Sequence, residues 1–226
     1  MSSVIGIKVT DMKEFNVTDI SVLLDSFSLT SLRDDRTDLT VLEFIAQRLY
    51  TTLHGLKRAN NVKLPFILNV EERERHAHRI VIYQSQPFFT NDDLLFVSFV
   101  GKKQHRLERP ILHDIAAADQ ALVSELSNNA HLLSYSSLEL RDGNWCNLVV
   151  FSSTEAKRFF EMSPTHQHAA QQLAARYYEW IRIHNGLISN GSMYSKLSLL
   201  KTKYYTFPRL PVMRTASNSE ASMASR

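Results

Sequence analysis

The chain has 226 residues, of which 44% are hydrophobic and 22% charged, as in an ordinary globular protein long enough to bury its own core. Its formal net charge is only +3, and glutamates interrupt the two basic runs at 73–79 and 102–109, so we expect no nucleic-acid partner. No apolar run is long enough to span a membrane, the first residues lack the pattern of a signal peptide, and Cys146 is the only cysteine. These features exclude a disulfide framework and predict a cytoplasmic protein without membrane association.

Residues 1–91 predict a helix and three strands. The sequence Thr40-Val41-Leu42-Glu43 predicts the start of a helix that runs to about Arg58, with a buried stripe at helical spacing. That stripe consists of Val41, Ile45, Leu49 and Leu53. Short strands are indicated at 4–9, 64–70 and 79–83. This region is either an N-terminal extension or a degenerate copy of the unit that follows it, although the polar stretch 26–38 has no counterpart there.

The next two predicted elements are a strand and a helix. Residues 94–100 are apolar on both faces, which is typical of a central strand covered on two sides. After a basic loop, Pro110 is placed to open a helix that ends near 128–129. Apolar residues recur in it at helical spacing, at Ile111, Ile115, Ala118, Leu122 and Leu126.

A hairpin comes next. We expect a strand over 132–140 with Leu133 and Tyr135 on one face and serines on the other. Asp142-Gly143 favours a tight turn into a returning strand at 145–151, because glycine takes positive φ angles readily.

A helix and a closing strand complete the unit. Ser152-Ser153-Thr154-Glu155 fits a capping box, and Ser163-Pro164 predicts a break near Met162 before the helix continues to about Ala175. The closing strand is expected at 177–184, ended by Asn185-Gly186. The order β-α-β-β-α-β predicts an α+β fold with a ferredoxin-like antiparallel sheet over residues 92–188. We expect a C-terminal extension over 189–214 and a disordered tail over 215–226.

His166 is the first candidate for chemistry. It shares a helical stripe with Ala170 and Leu173 that should face the sheet, which suits a general base or a haem ligand in a pocket. The alternative is a partly buried histidine bonded to backbone near Pro164. His168 lies two residues further on, about 200° around the helix axis, so the two histidines cannot share a metal ion.

Other candidates lie on strands and at a helix start. Trp180, Arg182 and His184 should share a face of the closing strand and suit an aromatic or carboxylate-bearing ligand, or else pack within the sheet or a subunit interface. Tyr135 is a candidate hydroxyl donor, and His113 is placed where it can face a pocket mouth. No metal site is predicted, because the pair His76 and His78 has no third ligand, and Cys146 is expected in the core.

The segment from Phe151 to His166, with its aromatic residue, Ser163-Pro164 and histidine, resembles the helix of antibiotic-biosynthesis-monooxygenase-like proteins. These belong to the dimeric α+β barrel superfamily. The resemblance implies two sheets that pair face to face, with a pocket between each sheet and its helices. It therefore implies a homodimer, unless the two halves of this chain form one barrel, possible only if the first region is a degenerate tandem copy.

The resemblance also implies a function. The expected protein is monooxygenase-like and acts on a hydrophobic or aromatic small molecule without a bound cofactor, by proton abstraction and direct reaction with oxygen. The implied catalytic residues are His166 and His184, and the implied substrate-binding residues are Tyr135, Trp180, Arg182, Phe160 and His113. One alternative is a haem protein with His166 or His168 as axial ligand, although Phe160 stands where haem-degrading relatives have tryptophan. Another is a non-catalytic ligand-binding or stress-related protein.

Overall fold

A computed structural model describes residues 35–59, 62–72, 75–140, 143–189 and 196–207. Within them, the strands form one antiparallel sheet in the spatial order β1-β2-β4-β5-β3-β6-β7. The strands are β1 (Phe66–Glu71), β2 (Ala77–Ile82), β3 (Asp93–Lys103), β4 (Leu132–Glu139), β5 (Trp145–Phe151), β6 (Tyr178–Ser189) and β7 (Lys196–Thr206).

The helices lie on both faces of this sheet. They are α1 (Asp35–Arg58), α2 (Pro87–Thr90), α3 (Arg109–Leu126), α4 (Thr154–Met162), α5 (Pro164–His168) and α6 (Ala174–Tyr177), and a π-helical turn, Ala169–Leu173, joins α5 to α6. In the centre of the sheet, the order β4-β5-β3-β6 is that of a ferredoxin-like unit, so the predicted fold class is confirmed. Of the helices in the described residues, none combines the length and the apolar character needed to cross a membrane.

The two sides of the sheet belong to two separate cores. On the side that we call the α1 face, Leu94 and Phe96 of β3 join the core of Ile45 in α1. On the opposite side, the α3 face, Leu95 and its neighbours on β3 pack in the core that contains Leu122 of α3. Successive side chains of a strand point to opposite faces, so a central strand with no polar alternation must be covered twice.

Helix α1 follows its predicted stripe. Val41, Ile45, Leu49 and Leu53 are all buried against the sheet. The helix begins at Asp35, earlier than the predicted Thr40, so part of the polar stretch 26–38 is helical. Acidic side chains in the first turn of a helix are favoured by its dipole, which accounts for this earlier start. The strand predicted at 4–9 and the tail 215–226 lie outside the described residues.

Two additions extend the sheet beyond the ferredoxin-like unit. The hairpin β1–β2, at the predicted strands, pairs with β4 at one edge. At the other edge β7 pairs with β6, although the sequence predicted no strand there. The predicted end of β6 at Asn185-Gly186 is also wrong, because the strand runs through both residues. At Gly186 a Cβ would lie 2.3 Å from the Ser198 carbonyl oxygen, so this glycine permits a close approach of β7.

Several local predictions are confirmed. The Ser153 hydroxyl accepts a hydrogen bond from the Ala156 N–H at the start of α4, and the Ser163 hydroxyl accepts one from the His166 N–H at the predicted break. Gly143 has a φ of 68° in the β4–β5 hairpin. The prediction that Leu133 shares a face with Tyr135 is wrong, because the β4–β5 register shifts between Leu132 and Ser134 and Leu133 joins the α1-face core.

Candidate functional site

The structure does not bring His166 and His184 together. His184 lies on β6 and its Nε2 is 2.7 Å from Oδ2 of Asp38, which belongs to α1. His166 lies in α5, where its ring centroid is 4.5 Å from that of Phe160 in the α3-face core. The sheet therefore separates the two histidines, and they do not line one cavity.

The partners of His184 form a buried cluster under α1. Arg182 donates to both carboxylate oxygens of Asp38, through Nε and Nη2, each at 2.5 Å. His184 Nδ1 lies 2.9 Å from the Thr202 hydroxyl, and the Arg182 guanidinium lies 4.4 Å from the centroid of the Trp180 ring. Asp38, Arg182 and His184 are at most 1% exposed. This cluster fastens the first turns of α1 to β6.

A metal ion is poorly suited to this cluster. Asp35, Asp38 and His184 offer ligand atoms within 4.8 Å of one another. However, the guanidinium of Arg182 already binds both oxygens of Asp38, and the positive end of the helix dipole lies at the first turn of α1. Both effects repel a cation. The group is therefore better described as an ion pair with a hydrogen-bonded histidine.

A second buried cluster holds α1 against the sheet, further along the helix. Glu72 accepts a hydrogen bond from Arg48 Nη2 at 2.5 Å, and its other oxygen is 2.9 Å from His78 Nδ1. Burial alone would raise the pKa of Glu72, but the hydrogen bond from His78 and the charge of Arg48 outweigh it and lower that pKa. His78 thus binds a carboxylate. Cys146 lies in the same α1-face core, where burial raises the pKa of its thiol.

The remaining predicted residues are dispersed. Phe160 packs against Phe151 within the α3-face core. Burial lowers the pKa of His166, and its Nδ1 has no hydrogen-bond partner among the residues that the structure describes. The side chain of His113 is 86% exposed, so it faces solvent and not a pocket mouth. His168 is exposed as well.

Tyr178 departs from the expected alternation. It packs against Phe99 on the α3 face, whereas Trp180 belongs to the α1-face core. The pairing of β3 with β6 shifts in register between Lys102 and Lys103, at the start of β6. Gly101 has no side chain, and this leaves room for the Tyr178 ring. The two aromatic residues Tyr178 and Trp180 at the start of β6 therefore lie on different faces of the sheet.

A cleft of about 210 Å³ opens on the α3 face, between α3 and the β1–β2 hairpin. The hairpin extends the sheet beyond the part that α3 covers, so Asn69 and Ile67 of β1 stay exposed on this side. The residues that border the cleft include Asn69, Ala77, Arg79, Asp119, Ser137 and Trp145.

A row of polar side chains crosses the sheet at the cleft, and Asn69, Arg79 and Ser137 of this row border it. Asn69 is paired with Arg79, Arg79 with Ser137, and Ser137 with Asn147, in register across β1, β2, β4 and β5. Residues directly opposite each other on neighbouring strands point to the same face. Four adjacent strands thus present polar groups side by side on the α3 face.

The carboxylate of Asp119 in α3 accepts hydrogen bonds from two side chains on this face of the sheet. Arg79 Nη2 donates to its carboxylate at 2.8 Å, and the Tyr135 hydroxyl donates to it at 3.1 Å. The Asn147 amide donates to the Tyr135 hydroxyl at 3.2 Å. Burial and the charge of Asp119 raise the pKa of Tyr135, which is therefore a neutral donor. Within the described residues, Arg79 Nε and Asn147 Oδ1 have no hydrogen-bond partner.

None of the residues that border the cleft was predicted from the sequence to be functional, although Tyr135, which donates a hydrogen bond to Asp119, was. Arg79 was one charge in a basic run, and Asp119 one of several polar residues on the outer side of a helix. Arg79 and Asp119 come into contact because of the strand register and the placement of α3 on the sheet. The polar residue Asn147, inside the otherwise apolar strand β5, was the available signal.

No protein-family model matches the chain, and no curated protein matches it significantly. Among solved structures, SnoaB of Streptomyces nogalater, described as a cofactor-independent oxygenase, is 17% identical with a TM-score of 0.32, over 43% of this chain and 92% of SnoaB. Protein SO0527 of Shewanella oneidensis is 14% identical with a TM-score of 0.36, over 44% of this chain and 96% of that one. A candidate monooxygenase of Lactobacillus acidophilus is 10% identical with a TM-score of 0.36, over 49% and 51%. At identities of 10–17% and TM-scores of 0.32–0.36, this likeness assigns the chain neither a family nor an activity.

Proposed function

We propose that the protein binds a hydrophobic or aromatic small molecule in the Arg79–Asp119 cleft and oxygenates it without a bound cofactor. The observation that carries this proposal is a carboxylate in a half-open cleft, held by a cation and a neutral hydroxyl. Asp119 is 35% exposed at its side chain and Arg79 is 26% exposed, so both are accessible to a ligand.

The size and the walls of the cleft favour a small ring. A dry cavity of about 150 Å³ accepts benzene, so about 210 Å³ accommodates a substituted single ring or part of a larger molecule. Trp145 borders the cleft, and Ile67 is 50% exposed on the same side of β1. These side chains offer apolar contact, while the polar row offers hydrogen bonds that orient the ring.

In the proposed reaction, Asp119 removes a proton from an acidic CH₂ group of the substrate. The resulting carbanion is stabilised by the adjacent Arg79 guanidinium, and the Tyr135 hydroxyl holds the carboxylate in place. The carbanion gives electrons to O₂. Overall the CH₂ group becomes C=O, one oxygen atom enters the product and the other leaves as water, so the substrate supplies all four electrons.

The other predicted functions find less support. His166, the base that the sequence resemblance implied, is the alternative to Asp119, but it packs against Phe160 and does not border the cleft. The haem alternative needs His166 or His168 beside a large cavity, and neither residue lines the cleft of about 210 Å³. A non-catalytic binder would use the same cleft, so turnover is the property that separates the two functions.

A homodimer and a cytoplasmic location also stay proposals. Helix α1 covers the sheet face through which two sheets would pair. A homodimer of this chain would therefore need a different surface, such as the edge strands β1 and β7, or would have to displace α1.

Oxygen consumption tests the proposed function. We expect the purified protein to catalyse O₂ uptake with 2-indanone, an aromatic ketone with acidic CH₂ groups, and to place one atom of ¹⁸O₂ in the diketone product. Asp119→Asn should abolish uptake and keep ring binding, because it removes the base and preserves the shape. His166→Phe is the matched control, and it should leave the rate unchanged.

Two outcomes separate the alternatives. Binding without O₂ uptake, in the wild type and in both variants, would identify a binder. Loss of uptake in His166→Phe with full activity in Asp119→Asn would place the base in α5 and contradict the assignment of Asp119.

A further inference from the structure

We propose that the Arg79–Asp119 pair makes the cleft selective for uncharged ligands, and that the β1–β2 hairpin is therefore the specificity element of the site. This inference rests on the proposed function, since it assumes that the cleft is where a small aromatic molecule binds. It adds the charge class of that molecule and the part of the chain that sets it.

The balance of charge in the cleft carries the argument. Arg79 is the one cation and Asp119 the one anion whose charged groups border it among the described residues, and they lie 2.8 Å apart. His78 also borders the cleft, but its ring binds Glu72 beneath α1. The cleft is thus electrically neutral as it stands.

A charged ligand would upset this balance. A singly charged ring in a partly enclosed site loses hydration and gains no partner of opposite charge that is not already paired. An uncharged ring with a carbonyl or amide group suffers no such loss.

The two charges come from different parts of the chain. Asp119 belongs to α3 of the ferredoxin-like unit, whereas Arg79 belongs to β2 of the added hairpin. Without the hairpin, the unit would present Asp119 and Tyr135 to a ligand with no cation beside them. Among the hairpin residues that the structure describes, Glu71 and Arg75 do not border the cleft, and their side chains are 72% and 90% exposed.

The test uses three probes of nearly equal shape, namely benzamide, benzoate and benzylamine, titrated into the full chain and followed by NMR. The wild type should bind benzamide more tightly than either ion. Arg79→Gln leaves Asp119 alone and should shift the benzylamine-to-benzoate affinity ratio about tenfold towards benzylamine. Asp119→Asn leaves Arg79 alone and should shift it about tenfold the other way, which corresponds to about 1.4 kcal/mol in each direction.

The double variant Arg79→Gln/Asp119→Asn completes the design. It is neutral again, so its preference for benzamide should return, which a change in fold or cleft shape would not produce. If all three probes bind and the ratio stays the same in both single variants, the selectivity inference is overturned while the binding site stands. If no probe binds the folded wild type, the proposed function falls, and this inference with it.

Discussion

The two faces of the sheet use similar side chains for different ends. Under α1, the carboxylate of Asp38 binds an arginine and a histidine, and all three are at most 1% exposed. On the α3 face, the carboxylate of Asp119 binds an arginine and a tyrosine, and the Arg79 and Asp119 side chains remain 26% and 35% exposed. The comparison teaches that an Asp–Arg pair is enclosed where a helix covers it and stays partly exposed to solvent where the sheet extends beyond the covering helix.

The two ion pairs should also differ in their contribution to the free energy of unfolding. Removing one partner of an enclosed ion pair leaves an uncompensated charge in a dry interior, which costs about 3–5 kcal/mol. A partly exposed pair is screened by water and contributes about 0–1 kcal/mol. Stability measurements on the two faces should therefore differ severalfold for chemically similar substitutions.

The largest effect is expected from Asp38→Asn. This variant keeps the shape of the side chain but leaves the charge of Arg182 without its carboxylate, so the free energy of unfolding should fall by about 3–5 kcal/mol. Urea denaturation of the full chain measures it. Asp35→Asn is the matched control, because Asp35 is only half-buried and accepts hydrogen bonds from Tyr204. A loss below about 1 kcal/mol for Asp38→Asn would mean that the cluster does not hold α1 on the sheet.

A much smaller effect is expected on the other face. Arg79→Gln and Asp119→Asn should each lower the free energy of unfolding by about 1 kcal/mol or less, because water replaces the lost partner. The same urea experiment compares them directly with Asp38→Asn. Equal losses on both faces would show that the Arg79–Asp119 pair is structural and would remove the contrast.

The smallest effect concerns pH. Burial lowers the pKa of His166 in the folded protein, so the unfolded chain binds this proton more readily. The stability linked to His166 is complete above its unfolded pKa of about 6.5 and is lost as the pH falls from there through the lower folded value. His166→Phe should therefore lose less stability between pH 7 and pH 5 than the wild type. His168→Gln, at an exposed position, is the control and should follow the wild type.

Sequence patterns were sufficient for local structure. The stripe of α1, the break at Ser163-Pro164 and the turn at Gly143 depend on neighbours within a few residues, and the structure confirms them. The ferredoxin-like order followed from the succession of elements. These predictions succeed because periodicity and capping chemistry act over one or two turns.

Register and face assignment could not be predicted in the same way. One shift at Leu132 moves Leu133 to the other face, and the strand β7 pairs through a glycine that the sequence had marked as an end. Arg79 and Asp119 are 40 residues apart and meet only because β2 joins β4 beneath α3. Such contacts depend on tertiary packing, which no local pattern records.

The two tryptophans of the chain provide the most direct test of the central claim, that ligands bind on the α3 face and not beneath α1. Trp145 borders the cleft, and Trp180 lies in the α1-face core. In protein labelled with 5-fluorotryptophan, with resonances assigned by Trp145→Phe and Trp180→Phe, added benzamide should shift the ¹⁹F signal of Trp145 and leave that of Trp180 unchanged. A shift confined to Trp180 would place the ligand under α1 and contradict the account.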